Sequence, residues 1–211
     1  MATFETDPAT MLSIVTTEHY NLQSARSVSV SETVGRAGMF LTTVSTTLIA
    51  LAFAGDVTGF SDAFVILGVV AFASMLFLGI VTFERVLQAS IEDVEAAQRI
   101  NRLRRLYLEL APELGAYLQR PAAGDDASAV LRSEAKRPNR WQLVLTIAGM
   151  VAVINSVIAG VVIGALATRA SDSTVIGGVV GGVVFAFAVV VHQWVQVVRR
   201  THAPGPFGPE A

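Results

Sequence analysis

With 53% hydrophobic and only 15% charged residues in 211, the chain is too apolar for an ordinary soluble domain, and its mean hydropathy is +0.58. The absence of cysteine excludes disulfides, thiolate metal sites and cysteine nucleophiles. A formal net charge of −2 conceals a segregation: ten of the fifteen basic residues lie between positions 83 and 140, flanked by long runs almost free of charge. Fourteen of those basic residues are arginine, and with abundant Ala, Val and Gly this points to a high-GC bacterial genome. No basic n-region leads into an apolar core at the N-terminus, so no cleavable signal peptide is expected.

Residues 8–36 place Met11, Val15, Leu22 and Ala25 on one helical face, which predicts an amphipathic helix. Glu32 and Arg36 stand at i,i+4 in the favourable orientation. Residues 27–31 alternate Ser and Val like a strand, but a lone five-residue strand has no partner, so helix is the expectation. Residues 37–55 carry no charge over 19 positions, about 28 Å of helix, enough to cross the hydrocarbon core. A turn at 56–62 leads to a second uncharged span at 63–83, giving a hairpin.

Beyond Phe83 the helix changes face. Leu87, Ile91 and Val94 share one side, whereas Ile100, Leu103, Leu106, Tyr107 and Leu110 cluster on the opposite one. Pro112 and Gly115 weaken this helix, and Gln119-Arg120-Pro121 is expected to end it. A polar linker over 121–138 has Asp126 as a candidate N-cap of a short helix. Residues 141–168 form a third span of about 42 Å, residues 169–172 a tight connection, and residues 173–198 a fourth span. The Pro/Gly-rich tail, 199–211, is expected to be disordered.

Counting loops, fourteen basic residues fall on one side and only Arg169 on the other, so both termini and the central segment are expected to be cytoplasmic. Trp141 and Trp194 fall at that same interface. The fold class is therefore an all-α integral membrane bundle of two hairpins, N-in and C-in. Its parts are an N-terminal amphipathic helix (1–36), hairpin one (37–83), a cytoplasmic basic helix and linker (84–140), hairpin two (141–198) and the tail. A bacterial cytoplasmic membrane is the expected location.

Several groups invite a functional reading. Ala148, Ala152, Ser156, Ala159, Gly160 and Gly164 make a small-residue face on the third span, and Gly177/Gly181 and Gly178/Gly182 are overlapping GxxxG pairs on the fourth. These glycines pack the hairpin or supply a subunit contact; replacing Gly178 and Gly182 by Leu is expected to force the fourth span off its neighbour. Asn155 sits near mid-bilayer, with Ala50, Val70 and Phe185 counted at its depth on the other spans. Its amide needs a partner inside the bundle or, around a symmetry axis, forms a polar ring lining a pore. Thr43 and Thr47 on the first span, and His192 and Gln196 on the fourth, are the remaining candidates for pore-lining or interhelical polar contacts. Thr hydroxyls also bond back to the i−4 carbonyl, and His192 also reads as an interfacial residue beside Trp194.

Arg99, Arg102, Arg104 and Arg105 form a basic cluster expected to meet anionic headgroups or a cytoplasmic protein partner. Glu92, Asp93, Glu95 and Glu109 on the same helix argue against nucleic acid. No catalytic constellation, phosphate loop or metal-ligand spacing stands out, so no enzyme, cofactor or metal site is expected. Acidic residues are absent from all four spans, which disfavours a carrier built on buried carboxylates.

The segments EHYNLQSARSVSVSETVGRAGMFLTTVSTTLIALAF and SIEDVEAAQRINRLRRLYLELAPEL resemble an uncharacterised family of small actinobacterial four-span membrane proteins. The order helix, two spans, long cytoplasmic helix is similar in architecture to the two-span SLATT-type effectors of bacterial conflict systems. That likeness implies a membrane-perturbing pore. The two functional expectations are an oligomeric pore or membrane effector, and a non-conducting scaffold that recruits a cytoplasmic or membrane partner.

Overall fold

The computed structural model describes residues 7–59, 61–117 and 145–201. It contains four long helices: α1 (Pro8–Thr58), α2 (Asp62–Leu110), α3 (Ile147–Ser171) and α4 (Thr174–Thr201), with a short 3-10 helix at Pro112–Ala116. Among the described residues there is no strand. All four helices are long and apolar enough to cross a membrane. The 121–138 linker, Trp141 and residues 202–211 lie outside the described residues.

Local chemistry explains the boundaries. Asp7 opens α1 by accepting from the Thr10 amide at 3.3 Å, with Pro8 at the first helical position, where its missing N–H costs nothing. The Ser27–Ser31 alternation is helical, as expected. Val28 and Val30 are exposed there, so no sheet face competes. The turn is shorter than 56–62, because α1 runs on to Thr58. Gly59 ends it at φ +62°, its amide donating to the Gly55 carbonyl at 3.0 Å. Helix α2 stops at Leu110, ahead of the expected end near Gln119. The residue before a proline is pushed out of the α region, and Ala111 is extended at φ −148°, ψ 84°.

The third helix also starts later than expected. Thr146 is its N-cap, accepting from the Gly149 amide at 3.0 Å, so α3 begins at Ile147 and not at Trp141. It continues through Ser171, and the connection to α4 is only Asp172, at φ 52°, and Ser173.

The chain divides into two compact units. One comprises Met1–Ser31, Ala89–Pro138 and Arg199–Ala211. Its interior holds Leu22, Val94, Ala97, Gln98, Ile100 and Asn101. Arg26 clasps Asp93 through two parallel bonds, Nε to Oδ1 at 2.7 Å and Nη2 to Oδ2 at 2.9 Å. Of the expected N-terminal face Leu22 is buried and Val15 half-buried, whereas Met11 and Ala25 are exposed. On α2, Ile100 is buried, whereas Leu110, at the end of the helix, is exposed.

The other unit, Glu32–Gln88 with Asn139–Val198, contains the apolar spans. Glu32 and Arg36 pair at 2.7 Å as expected. Helix α3 supplies more of the interior than any other helix: Ala148, Val151, Ala152, Asn155, Ser156, Ile158, Gly160 and Gly164 are all buried. Phe40, Met75, Phe83, Val86 and Leu87 are buried in the same unit. Val175, Val179, Val183 and Phe187, one i,i+4 row on α4, are each more than 60% exposed, a face suited to acyl chains and not to water.

Candidate functional site

The polar groups within the apolar spans are the places where this chain departs from simple hydrophobic packing. Asn155 is fully buried, and neither its Oδ1 nor its Nδ2 has a hydrogen-bond partner among the described residues. Its amide lies against Gly79 of α2. A Cβ at position 79 would fall 1.8 Å from Asn155 Oδ1, 2.8 Å from its Cγ and 2.9 Å from Phe40 Cζ. Gly79 is thus the hole that the asparagine fills.

The expected neighbours Ala50, Val70 and Phe185 are not those around Asn155. Because α3 begins at Ile147, Asn155 stands only about 12 Å into it. That brings it level with Phe40 early in the first span and Gly79 late in the second. Its side chain is directed into the unit, so in this arrangement it is an interhelical group and presents no polar ring outward. The neighbouring Ser156 closes on its own helix, donating to the Ala152 carbonyl at 2.7 Å.

The two overlapping glycine pairs of α4 separate cleanly. Added Cβ atoms at Gly160 and Gly164 would come within 2.8 and 2.9 Å of the Gly181 and Gly177 carbonyls, and one at Gly181 within 2.7 Å of the Gly160 carbonyl. Gly160, Gly164, Gly177 and Gly181 therefore form the α3–α4 crossing, where backbones approach closely. Gly178 and Gly182 have nothing within 4 Å of an added Cβ. The expectation that they hold the fourth span to its neighbour is corrected: they are one position, 100°, off the crossing. They line a groove of about 440 Å³ with Val157, Val161, Ala165 and Phe185.

Gln196 is fully buried and donates from Nε2 to Thr146 Oγ1 at 2.8 Å. The same oxygen caps α3, so Gln196 ties α4 to the start of α3. His192 is turned toward its own helix, Nδ1 lying 2.8 Å from the Ala188 carbonyl and so carrying the donated proton. Its ring meets Phe83 edge-on at 4.8 Å. Thr43 donates to the Met39 carbonyl at 2.9 Å, and Thr42 and Thr46 bond back in the same way. Thr47 is half-buried. Trp194 is 65% exposed, as suits an interfacial ring.

Within the basic cluster only Arg99 is exposed; Arg102, Arg104 and Arg105 are half-buried, and none of the three is without a partner. Arg104 lies near His19, whose ring stacks on Tyr107 at a centroid distance of 5.8 Å. Tyr107 in turn donates to the Val15 carbonyl at 3.4 Å. Burial, and secondarily the Arg104 charge, hold the His19 pKa below its ordinary value. Among the described residues no three His, Asp or Glu side chains gather as metal ligands would.

The sequence reading passed over Gly79, Thr146 and the Asp62–Arg169 ion pair. An isolated glycine in the bulky run LFLGIVTF is the signal that pointed to Gly79, since such a residue marks close approach. No protein-family profile, curated protein or solved structure matches the chain.

Proposed function

We propose that the chain is a non-enzymatic multi-pass protein of a bacterial cytoplasmic membrane that works as a homo-oligomeric pore or membrane effector. The observation that carries the reading is the spare glycine face of α4. Gly177 and Gly181 are consumed by the α3–α4 crossing, while Gly178 and Gly182 stand open on an apolar groove. In lipid, helices associate through close packing at such surfaces, and a second copy of α4 is the symmetric occupant. Both termini and the Arg-rich helix lie on the cytoplasmic side in this reading, with anionic headgroups beside Arg99.

The test is size analysis in mild detergent together with ion flux in reconstituted vesicles. Wild type should run as an oligomer and conduct; Gly178→Leu with Gly182→Leu should yield monomers and lose flux. A monomeric wild type would end the oligomer reading. An assembly that never conducts would favour the scaffold instead.

A further inference from the structure

A second groove adjoins the glycine groove at Val161 and Ala165 and runs between α3 and α2. It has a volume of about 170 Å³ and is lined by Phe64, Val65, Gly68 and Phe72 of α2 and by Val161 and Ala165 of α3, with Arg169 at its end. Its walls run about 12 Å along each helix, from 64 to 72 and from 161 to 169. Apart from Arg169 the side chains named are apolar, so the trough suits a length of acyl chain. Arg169 is the one basic residue on its side of the apolar spans, and it pairs with Asp62 in the first turn of α2.

That pair is no structural necessity by itself. Arg169 and Asp62 side chains are 60% and 85% exposed, and exposed ion pairs contribute little to stability. What the pair does leave is a set of unused valences at the mouth of an apolar trough. Guanidinium N–H groups beyond the one bonded to Asp62 remain to donate, and the second carboxylate oxygen remains to accept. Side by side they present a cation and an anion at the level where α2 begins and α3 ends.

We infer that this groove is a binding site for a zwitterionic bilayer phospholipid with a phosphoethanolamine headgroup. The phosphate meets Arg169, the primary ammonium meets Asp62, and one acyl chain lies along Phe64, Gly68, Phe72, Val161 and Ala165. The choice of headgroup follows from the charges. An anionic lipid with a glycerol headgroup satisfies Arg169 but brings no cation to Asp62, whose charge repels its phosphate. A choline headgroup brings a cation that cannot donate a hydrogen bond. Only a primary ammonium offers both charge and N–H donors to the carboxylate.

Gly68 supplies a test that leaves the fold alone, since a Cβ added there meets nothing within 4 Å and a longer side chain would lie in the trough. Purified protein is incubated with equimolar phosphatidylethanolamine, phosphatidylcholine and phosphatidylglycerol of matched chains, and retained lipid is counted by native mass spectrometry. Wild type should retain the ethanolamine lipid about tenfold over the choline lipid, the worth of one charge-assisted hydrogen bond, and retain the glycerol lipid least. Asp62→Asn should erase the preference for ethanolamine over choline. Gly68→Leu should lower retention of all three without lowering the melting temperature. Equal retention of the three lipids by wild type would overturn the proposal, as would retention that Gly68→Leu leaves unchanged. A preference for the glycerol lipid would mean that Arg169 acts alone and would equally overturn it. The site uses α2 and α3 of a single subunit, and Asp62 and Gly68 lie outside the glycine groove, so their variants read lipid binding and not self-association.

Discussion

Replacing Gly79 by alanine is expected to destabilise the membrane unit, chiefly by collision with Asn155. The new methyl would sit 1.8 Å from Asn155 Oδ1 and 2.9 Å from Phe40 Cζ, where carbon contacts settle at about 3.5–4.0 Å. The amide would have to retreat by more than 1.5 Å, roughly, yet Asn155 is fully buried and Phe40 is 4% exposed. Overpacking of this kind costs about 1–3 kcal/mol. Truncating Asn155 alone has opposing effects. It removes an amide whose unpaired burial costs about 1–3 kcal/mol, and it opens a cavity of comparable cost, so Asn155→Ala should lie within about 1 kcal/mol of wild type. In the Gly79→Ala background the same truncation removes the closest colliding atoms, those of the amide, and leaves only the milder approach to Phe40. The double-mutant cycle should therefore show a favourable coupling of about 1–3 kcal/mol. Reversible unfolding in mixed micelles, followed by circular dichroism, measures all four corners. Additivity to within about 0.5 kcal/mol would refute the claim that Gly79 exists to admit Asn155.

The glycine faces give a paired test: Gly181→Leu drives a side chain into the Gly160 carbonyl and should lower the melting temperature sharply, whereas Gly182→Leu should leave subunit stability within about 0.5 kcal/mol. Gln196→Leu removes the bond to Thr146 and should cost about 0.6–1 kcal/mol in the same unfolding assay, with no change in the Thr146 cap itself. Lowering pH should weaken the unit that holds His19. Its folded pKa lies below the ordinary 6.5, so the unfolded chain binds the proton first, and stability is lost as pH falls from about 6.5 through the lowered value. Melting curves from pH 7.5 to 5 should show this loss, and His19→Phe, which keeps the stack on Tyr107, should flatten it.

What the sequence made legible divides by the range of the physics involved. The four spans are visible because charge is excluded from hydrocarbon over a length set by the bilayer, a condition each segment meets by itself. Helix ends depend on single residues, and here short-range rules were present but outweighed. Pro112 stops α2 at Leu110 despite an apolar pattern that continues to Leu114, and Thr146 caps α3 despite five preceding residues that look fit to span. The glycine register lay beyond this reach altogether. Gly177/Gly181 and Gly178/Gly182 have identical spacing and differ only by a 100° rotation about α4, which is decided by what α3 presents.

Asn155 shows why that third level matters for function. From the chain alone its nearest partners are found by counting turns from assumed helix ends, and an error of six residues at the start of α3 moves it by about 9 Å. That shift exchanges a mid-membrane residue with no polar neighbour for one lodged in the hole at Gly79. The glycines left out of the crossing and the trough that ends at Arg169 line two grooves that adjoin at Val161 and Ala165, but Gly182 borders only the first and Gly68 only the second, so the proposed second subunit and the proposed lipid have distinct reporters. Substitutions at Gly182 and at Gly68 should accordingly be separable, the first changing assembly and the second changing lipid retention. Loss of both properties from either substitution would mean that one surface serves both partners.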